Sequence, residues 1–97
     1  MKISVFGKDI EVIFKDLSDD GIYGKFESKE SRIYIHQGLT NDDIEATLLH
    51  EIFHAICYRI GIRQALPHEL EEILVESFAT WLVENYEFKD LRVSKTK

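Results

Sequence analysis

Apolar side chains recur at every fourth residue through the middle of the sequence, and this period constrains the fold more than any other feature. Ile44, Leu48, Ile52 and Ile56 follow one another at this spacing, which places them on one face of an α-helix. A helix of about residues 41–60 is therefore predicted, with this face directed at a core.

The residues at both ends of this segment support the same limits. Thr40 is followed three residues later by Asp43, as in a capping box, and Asp42 adds negative charge where a helix N-terminus favours it. Gly61 can adopt the left-handed conformation that ends many helices. The predicted helix thus begins after Thr40 and stops before Gly61.

The chain before this helix consists of short β-rich runs separated by turn residues. The runs are residues 4–6, 10–14, 22–26 and 32–36. Their β-branched and aromatic residues favour strands, and the polar cluster at 18–21 favours a turn. We predict strands within about residues 2–36, arranged as a small antiparallel sheet of three to four strands in a meander.

A second helix is predicted from Pro67 to about residue 87, because proline suits the first helical turn. Its apolar positions trace one face, which we expect to pack on the first helix and on the sheet. They are Leu70, Ile73, Leu74, Phe78, Trp81 and Leu82. The expected fold is a single α+β domain over residues 1–97, with a small antiparallel sheet followed by two helices.

Composition excludes several classes of partner. The net charge of −6 argues against a nucleic-acid partner, because phosphate binding needs a basic surface. No apolar run approaches the roughly 18 residues of a membrane span. Lys8, Asp9 and Glu11 interrupt the N-terminal region, where a secretory signal is continuously apolar, so we expect a cytoplasmic protein. The oligomeric state is left open.

The run HEIFH, residues 50–54, contains two candidate metal ligands and a candidate general base. His50 and His54 are four residues apart, so both imidazoles project from one helical face and can bind one zinc ion. Glu51 lies about 100° around the helix from His50, where its carboxylate can reach a metal-held water molecule and act as a general base.

A catalytic zinc ion usually has three protein ligands, and several residues could supply the third. Cys57 is more simply interpreted as a small core residue. Glu69, Glu72 and Glu76 form an acidic stripe on the second helix, although Glu69, Glu71 and Glu72 would also complement the helix dipole without any metal. Glu76 lies two turns inside the helix, among apolar neighbours, and therefore needs a partner.

The segments LLHEIFHAI and EEILVESFA together resemble the gluzincin metallopeptidases, the group that includes thermolysin and the ImmA/IrrE-like peptidases. The resemblance covers residues 44–84. It implies a minimal zincin-like fold in which Glu72 is the third zinc ligand and Glu76 hydrogen-bonds the non-metal nitrogen of a ligand histidine. Because only 17 residues separate His54 from Glu72, fewer than in larger gluzincins, the roles of Glu72 and Glu76 could be exchanged. The family also implies an edge strand that accepts an extended substrate, and residues 32–36 are placed to be that strand.

The sequence therefore favours a metallopeptidase that binds one Zn²⁺ ion, needs no other cofactor and hydrolyses a peptide or protein substrate. The alternative is a zincin-like binding or regulatory module with weak or no turnover. A structural zinc site is disfavoured because such sites are rich in cysteine. His36, or one of the tyrosines Tyr23, Tyr58 and Tyr86, could stabilise an oxyanion, although each has an ordinary structural explanation. Manganese, iron or cobalt could replace zinc.

Overall fold

A computed structural model describes residues 1–86, which form four strands followed by two helices. The elements are β1 (Lys2–Val5), β2 (Lys8–Lys15), β3 (Gly24–Glu27), β4 (Arg32–His36), α1 (Asn41–Ile60), a 3₁₀ turn (Ile62–Gln64) and α2 (His68–Asn85). The predicted α+β class is confirmed. The last residue of the predicted second helix, residue 87, lies outside the described residues. No helix in the described part is long and apolar enough to cross a membrane.

The four strands form one mixed sheet in the order β1-β2-β4-β3. β1 pairs antiparallel with β2, and β3 pairs antiparallel with β4, but β2 and β4 run parallel. The prediction of a purely antiparallel meander is therefore wrong. The chain leaves β2, crosses to the sheet edge to form β3, and returns as β4 between its two predecessors.

Burial explains why β4 takes the central position. Ile33 and Ile35 of this strand are completely buried, and such residues need a neighbouring strand on each side as well as a covering layer. In contrast, all four residues of β3 are only half-buried, as befits an edge strand. Residues 32–36 are consequently not the free edge near α1, and that edge belongs to β3.

The predicted limits of α1 are confirmed, together with both of its capping residues. Thr40 Oγ1 accepts a hydrogen bond from the Asp43 N–H at 3.1 Å. Gly61 adopts a left-handed conformation with φ of 79°, and its N–H is directed to the carbonyls of Cys57 and Tyr58. The helix lies across the sheet and contacts β1, β3 and β4. This packing fixes the direction in which each α1 side chain points.

The second helix, α2, packs on α1 rather than on the sheet. Its buried residues are Glu71, Val75 and Ala79. Leu70, Phe78 and Trp81, all predicted as core, are instead exposed. The prediction was wrong because α2 is the outer layer of the molecule and covers α1 with its face of small and acidic residues.

Candidate metal centre

His50 and His54 project from adjacent turns of α1 toward α2. Their Nε2 atoms are 3.2 Å apart, and their ring centroids are 4.9 Å apart. His54 is buried and His50 is half-buried. The four-residue spacing in the sequence thus brings two imidazole nitrogens to one point between the helices.

Glu72 supplies a third atom at this point from α2. Its Oε1 lies 2.8 Å from His54 Nε2 and 3.3 Å from His50 Nε2. Ligands of a tetrahedral zinc ion at about 2.0–2.1 Å lie about 3.3 Å from one another, so these separations approach one face of such a tetrahedron. The three residues form a group that could hold a metal ion.

The outer nitrogen of each histidine faces a different carboxylate. Glu76 Oε2 lies 2.9 Å from His50 Nδ1, and Glu71 Oε2 lies 2.6 Å from His54 Nδ1. If each Nδ1–H donates a hydrogen bond to its carboxylate, each Nε2 presents a lone pair to the common point. Three acceptor atoms then converge, an arrangement that a cation stabilises.

The structure therefore separates the two glutamates whose roles the sequence left open. Glu72 reaches both Nε2 atoms, whereas Glu76 reaches the outer nitrogen of His50. Partial burial raises the pKa of Glu72, but when His54 and His50 are protonated, their charges and the hydrogen bond to His54 lower the pKa by more. This geometry favours Glu72 as the ligand and Glu76 as the residue that orients His50.

Sequence reasoning missed the role of Glu71, which it assigned only to the helix dipole. Glu71 is almost completely buried and also accepts a hydrogen bond from Arg63 Nε at 3.2 Å. A usable signal was present, because Glu71, Val75 and Ala79 recur at four-residue spacing and form the buried face. A carboxylate on that face requires a specific partner.

Arg63 connects this carboxylate to the edge strand. Its guanidinium lies 5.7 Å from the ring centroid of Phe26 on β3 and 5.7 Å from that of Tyr58 on α1. Cations are attracted to aromatic faces at this separation. Arg63 is thus held by the sheet and α1 while it contacts Glu71 of α2.

Glu51 lies about 100° around α1 from His50, against β3, and only 8% of its surface is exposed. Burial raises the pKa of its carboxyl group, and the neighbouring charge of His50 partly opposes this shift. A Cβ atom added to Gly24 would lie 3.4 Å from Glu51 Cγ and 2.6 Å from Thr47 Cγ2. The strand therefore passes close to α1 at this point because residue 24 is glycine.

Two depressions meet at His50. The first, of about 300 Å³, is lined by residues of β3, α1 and α2, including Tyr23, Gly24, His50 and Glu51. The second, of about 480 Å³, is lined by His50 of α1 and by residues of α2, including Glu72 and Ile73. Glu51 and Glu72 therefore border different depressions, with His50 between them.

The remaining candidates have other positions. His36 Nδ1 accepts a hydrogen bond from the Leu17 N–H at 2.9 Å, which fits the strand-end explanation. Tyr23 lines the first depression and is exposed, whereas Tyr58 packs edge-on against Phe26. Cys57 is not in the metal-binding group of the described residues.

The fold and the site define a small α+β domain with a His–His–Glu cluster where its two helices meet. Comparison with known protein families, curated proteins and solved structures finds no match to this chain.

Proposed function

We propose that this protein is a zinc-dependent metallopeptidase in which His50, His54 and Glu72 hold the metal. The observation that carries the proposal is the convergence of two Nε2 atoms and one carboxylate oxygen, each within 3.3 Å of the others. The carboxylates at both outer nitrogens add support, since oriented histidines are typical of metal sites. Three protein ligands leave a fourth position for water or substrate.

Glu51 is the proton acceptor in this proposal. Zinc, when bound, lowers the pKa of a water molecule to about 7 and so supplies a hydroxide nucleophile at neutral pH. Glu51 takes up the proton at its carboxylate and returns it to the leaving amine. Burial raises the pKa of this carboxyl group, which suits a group that must both accept and release a proton near neutral pH.

The first depression and the free edge of β3 support an extended peptide as the substrate. β3 is the outermost strand on this side of the sheet, and Tyr23, Gly24 and Glu51 lie together along the depression. An extended chain can add to such an edge through main-chain hydrogen bonds. The scissile carbonyl of a peptide bound in this way would lie between Glu51 and His50.

Metal content and peptide cleavage test the proposal together. The purified protein is expected to bind one zinc ion per chain and to cleave an unstructured protein substrate such as casein. Glu51→Gln should retain the metal and lose at least about 100-fold in cleavage rate, as is common for a catalytic proton acceptor. Glu84→Gln, on the exposed part of α2, is the matched control and should behave as wild type.

Two outcomes would count against this function. Failure to bind zinc or any other divalent ion stoichiometrically would exclude the metal centre itself. Metal binding with equal cleavage by wild type and Glu51→Gln would instead favour the alternative of a binding or regulatory module.

A further inference from the structure

The outward side of α2 carries five large apolar side chains that are about half exposed to solvent. These residues, which we call the outer face, are Leu70, Ile73, Leu74, Phe78 and Trp81, and each is 41–61% exposed. The opposite side of the helix packs on α1 through Val75 and Ala79. The helix therefore has two apolar sides, and the described part of the chain covers the outer face only in part, through Phe53 beside Phe78 and Tyr86 beside Trp81.

The size of the outer face matches that of a dimer interface. A whole aromatic side chain offers about 150–250 Å², so five large side chains exposed to this extent leave roughly 500 Å² of apolar surface. A standard interface buries about 800 Å² per partner, of which about 65% is apolar in homodimers, and this also amounts to roughly 500 Å². One helix face can thus supply the apolar part of a stable contact.

We propose that two copies of this chain associate through their outer faces, with the two α2 helices antiparallel across a two-fold axis. Such an axis requires a surface that is complementary to itself. An axis near residues 75 and 76 places Leu70 opposite Trp81 of the other copy, and Leu74 opposite the small Ser77. Large side chains on one helix then meet small or differently shaped ones on its partner, as close helix packing requires.

Charge is consistent with the antiparallel arrangement. The sequence of α2 contains five glutamates and neither lysine nor arginine, and three of the glutamates, at positions 69, 71 and 72, lie in the first two turns. The sequence after α2 contains four basic residues, at positions 89, 92, 95 and 97, and two acidic ones, at positions 87 and 90, so its net charge is positive. Antiparallel helices bring the end of α2 in one copy beside the acidic beginning of α2 in the other. A parallel arrangement would place like charges together.

A second copy also suits the outer face better than the chain's own C-terminal segment does. Residues 87–97 include three apolar side chains, at positions 88, 91 and 93, and six charged ones. Three apolar side chains can match only part of a face of five large ones, and the six charged side chains would have to remain in water. The face of a second copy presents five large apolar groups instead.

The proposed contact between the two copies reaches the edge of the second depression described above. Ile73 and Ser77 line that depression together with His50 and Glu72, and they also lie on or beside the outer face. A second copy would therefore give the open depression an outer wall. This geometric consequence does not depend on whether the site is catalytic.

Trp81 is the only tryptophan in the sequence, so its fluorescence reports directly on the outer face. We would dilute the full-length protein from about 100 to 0.1 µM, a range that brackets a micromolar Kd, and measure emission and sedimentation mass. The expected result is a mass of two chains at high concentration. Emission at short wavelength should shift to longer wavelength as the dimer dissociates.

Leu74→Lys is the decisive variant, because it places a charge in the centre of the contact and leaves Trp81 in place. The Kd of the dimer should rise at least about 10-fold. Phe6→Lys, at an exposed apolar residue between β1 and β2, makes the same charge change elsewhere and should dimerise as wild type does. Circular dichroism verifies the fold, and Leu70→Lys in the first turn is a second variant with the same expected effect.

Three results would overturn the proposal. A monomer with solvent-exposed Trp81 at every concentration would mean that nothing covers the outer face. A monomer whose Trp81 emission is at short wavelength and independent of concentration would assign the cover to residues 87–97. A dimer that folded variants Leu74→Lys and Leu70→Lys leave intact would place the interface on another surface.

Discussion

At the scale of single residues, the two glutamates near His50 occupy places that predict different consequences of mutation. Glu72 Oε1 is within 3.3 Å of both Nε2 atoms, whereas Glu76 is exposed and, of the two histidines, contacts only His50, at Nδ1. Loss of a ligand removes one of three direct bonds to the metal. Loss of an orienting carboxylate changes only the alignment and basicity of one ligand.

We therefore expect Glu72→Ala to abolish stoichiometric zinc binding. Glu76→Ala should lower zinc affinity by about 10-fold, at the lower end of the usual range for such partners, because water can replace an exposed carboxylate. Competition with a zinc-binding dye would measure both affinities. The reverse order would show that Glu76 is the ligand.

Glu71 should matter more than Glu76, although both contact an outer histidine nitrogen. Glu71 is almost completely buried and is held by Arg63, so no water can take its place. We expect Glu71→Gln to reduce zinc affinity by about 10- to 100-fold, and the matched Glu76→Gln by less. Titration calorimetry on both variants would test this order, and equal losses would contradict a role for burial.

These residues also show which parts of the candidate site could be predicted from the sequence and which could not. The positions of His50 and His54 on one face followed from helical spacing alone. The choice between Glu72 and Glu76 required the register of α2 against α1, which depends on packing that no local pattern encodes. Glu71 was overlooked because the helix dipole already explained an acidic first turn.

At the scale of elements, α1 was predictable because its period and both caps agree. The strand order was not, because neighbouring runs in sequence usually pair and here β4 inserts between β2 and β3. Ile33 and Ile35 of β4 are completely buried, and this burial favours an inner position for the strand. For α2, two apolar faces share one helical sequence, so periodicity alone did not show which of them meets α1.

The close approach of β3 to α1 gives a prediction at this same scale. Gly24→Ala would put a methyl group 2.6 Å from Thr47 Cγ2 and 3.0 Å from the Tyr34 carbonyl oxygen. Strand or helix must then move, and we expect a loss of about 1–3 kcal/mol in the free energy of unfolding, typical of overpacking. Urea denaturation would measure the loss.

Thr47→Ser provides the internal control for this substitution. It removes Cγ2, the nearest atom to the added methyl group, and keeps the hydroxyl. The double variant Gly24→Ala/Thr47→Ser should recover part of the lost stability, because the two changes are coupled through one contact. Strict additivity of the two single effects would show that the clash is not with Thr47.

At the scale of the whole molecule, the His50–His54–Glu72 cluster joins the two helices, which are the middle and the outer layer of the fold. His50 and His54 belong to α1, which lies on the sheet, whereas Glu72 belongs to α2, which packs mainly on α1. Much of the helix–helix contact is polar, since Glu71, Glu72 and Glu76 all face histidines of α1. A shared metal ion would fasten the outer layer to the rest of the fold.

Metal removal should therefore lower the stability of the protein. A ligand that binds only the folded state stabilises it by about 4 kcal/mol when its free concentration is 1,000 times its Kd. Treatment with EDTA should consequently lower Tm by several degrees, and added zinc should restore it. Glu72→Ala, which lacks a ligand, should show the same Tm with and without zinc. If zinc raised the Tm of this variant as much as that of wild type, the ion would be bound elsewhere, because a metal that does not contact Glu72 cannot link α2 to α1 through it.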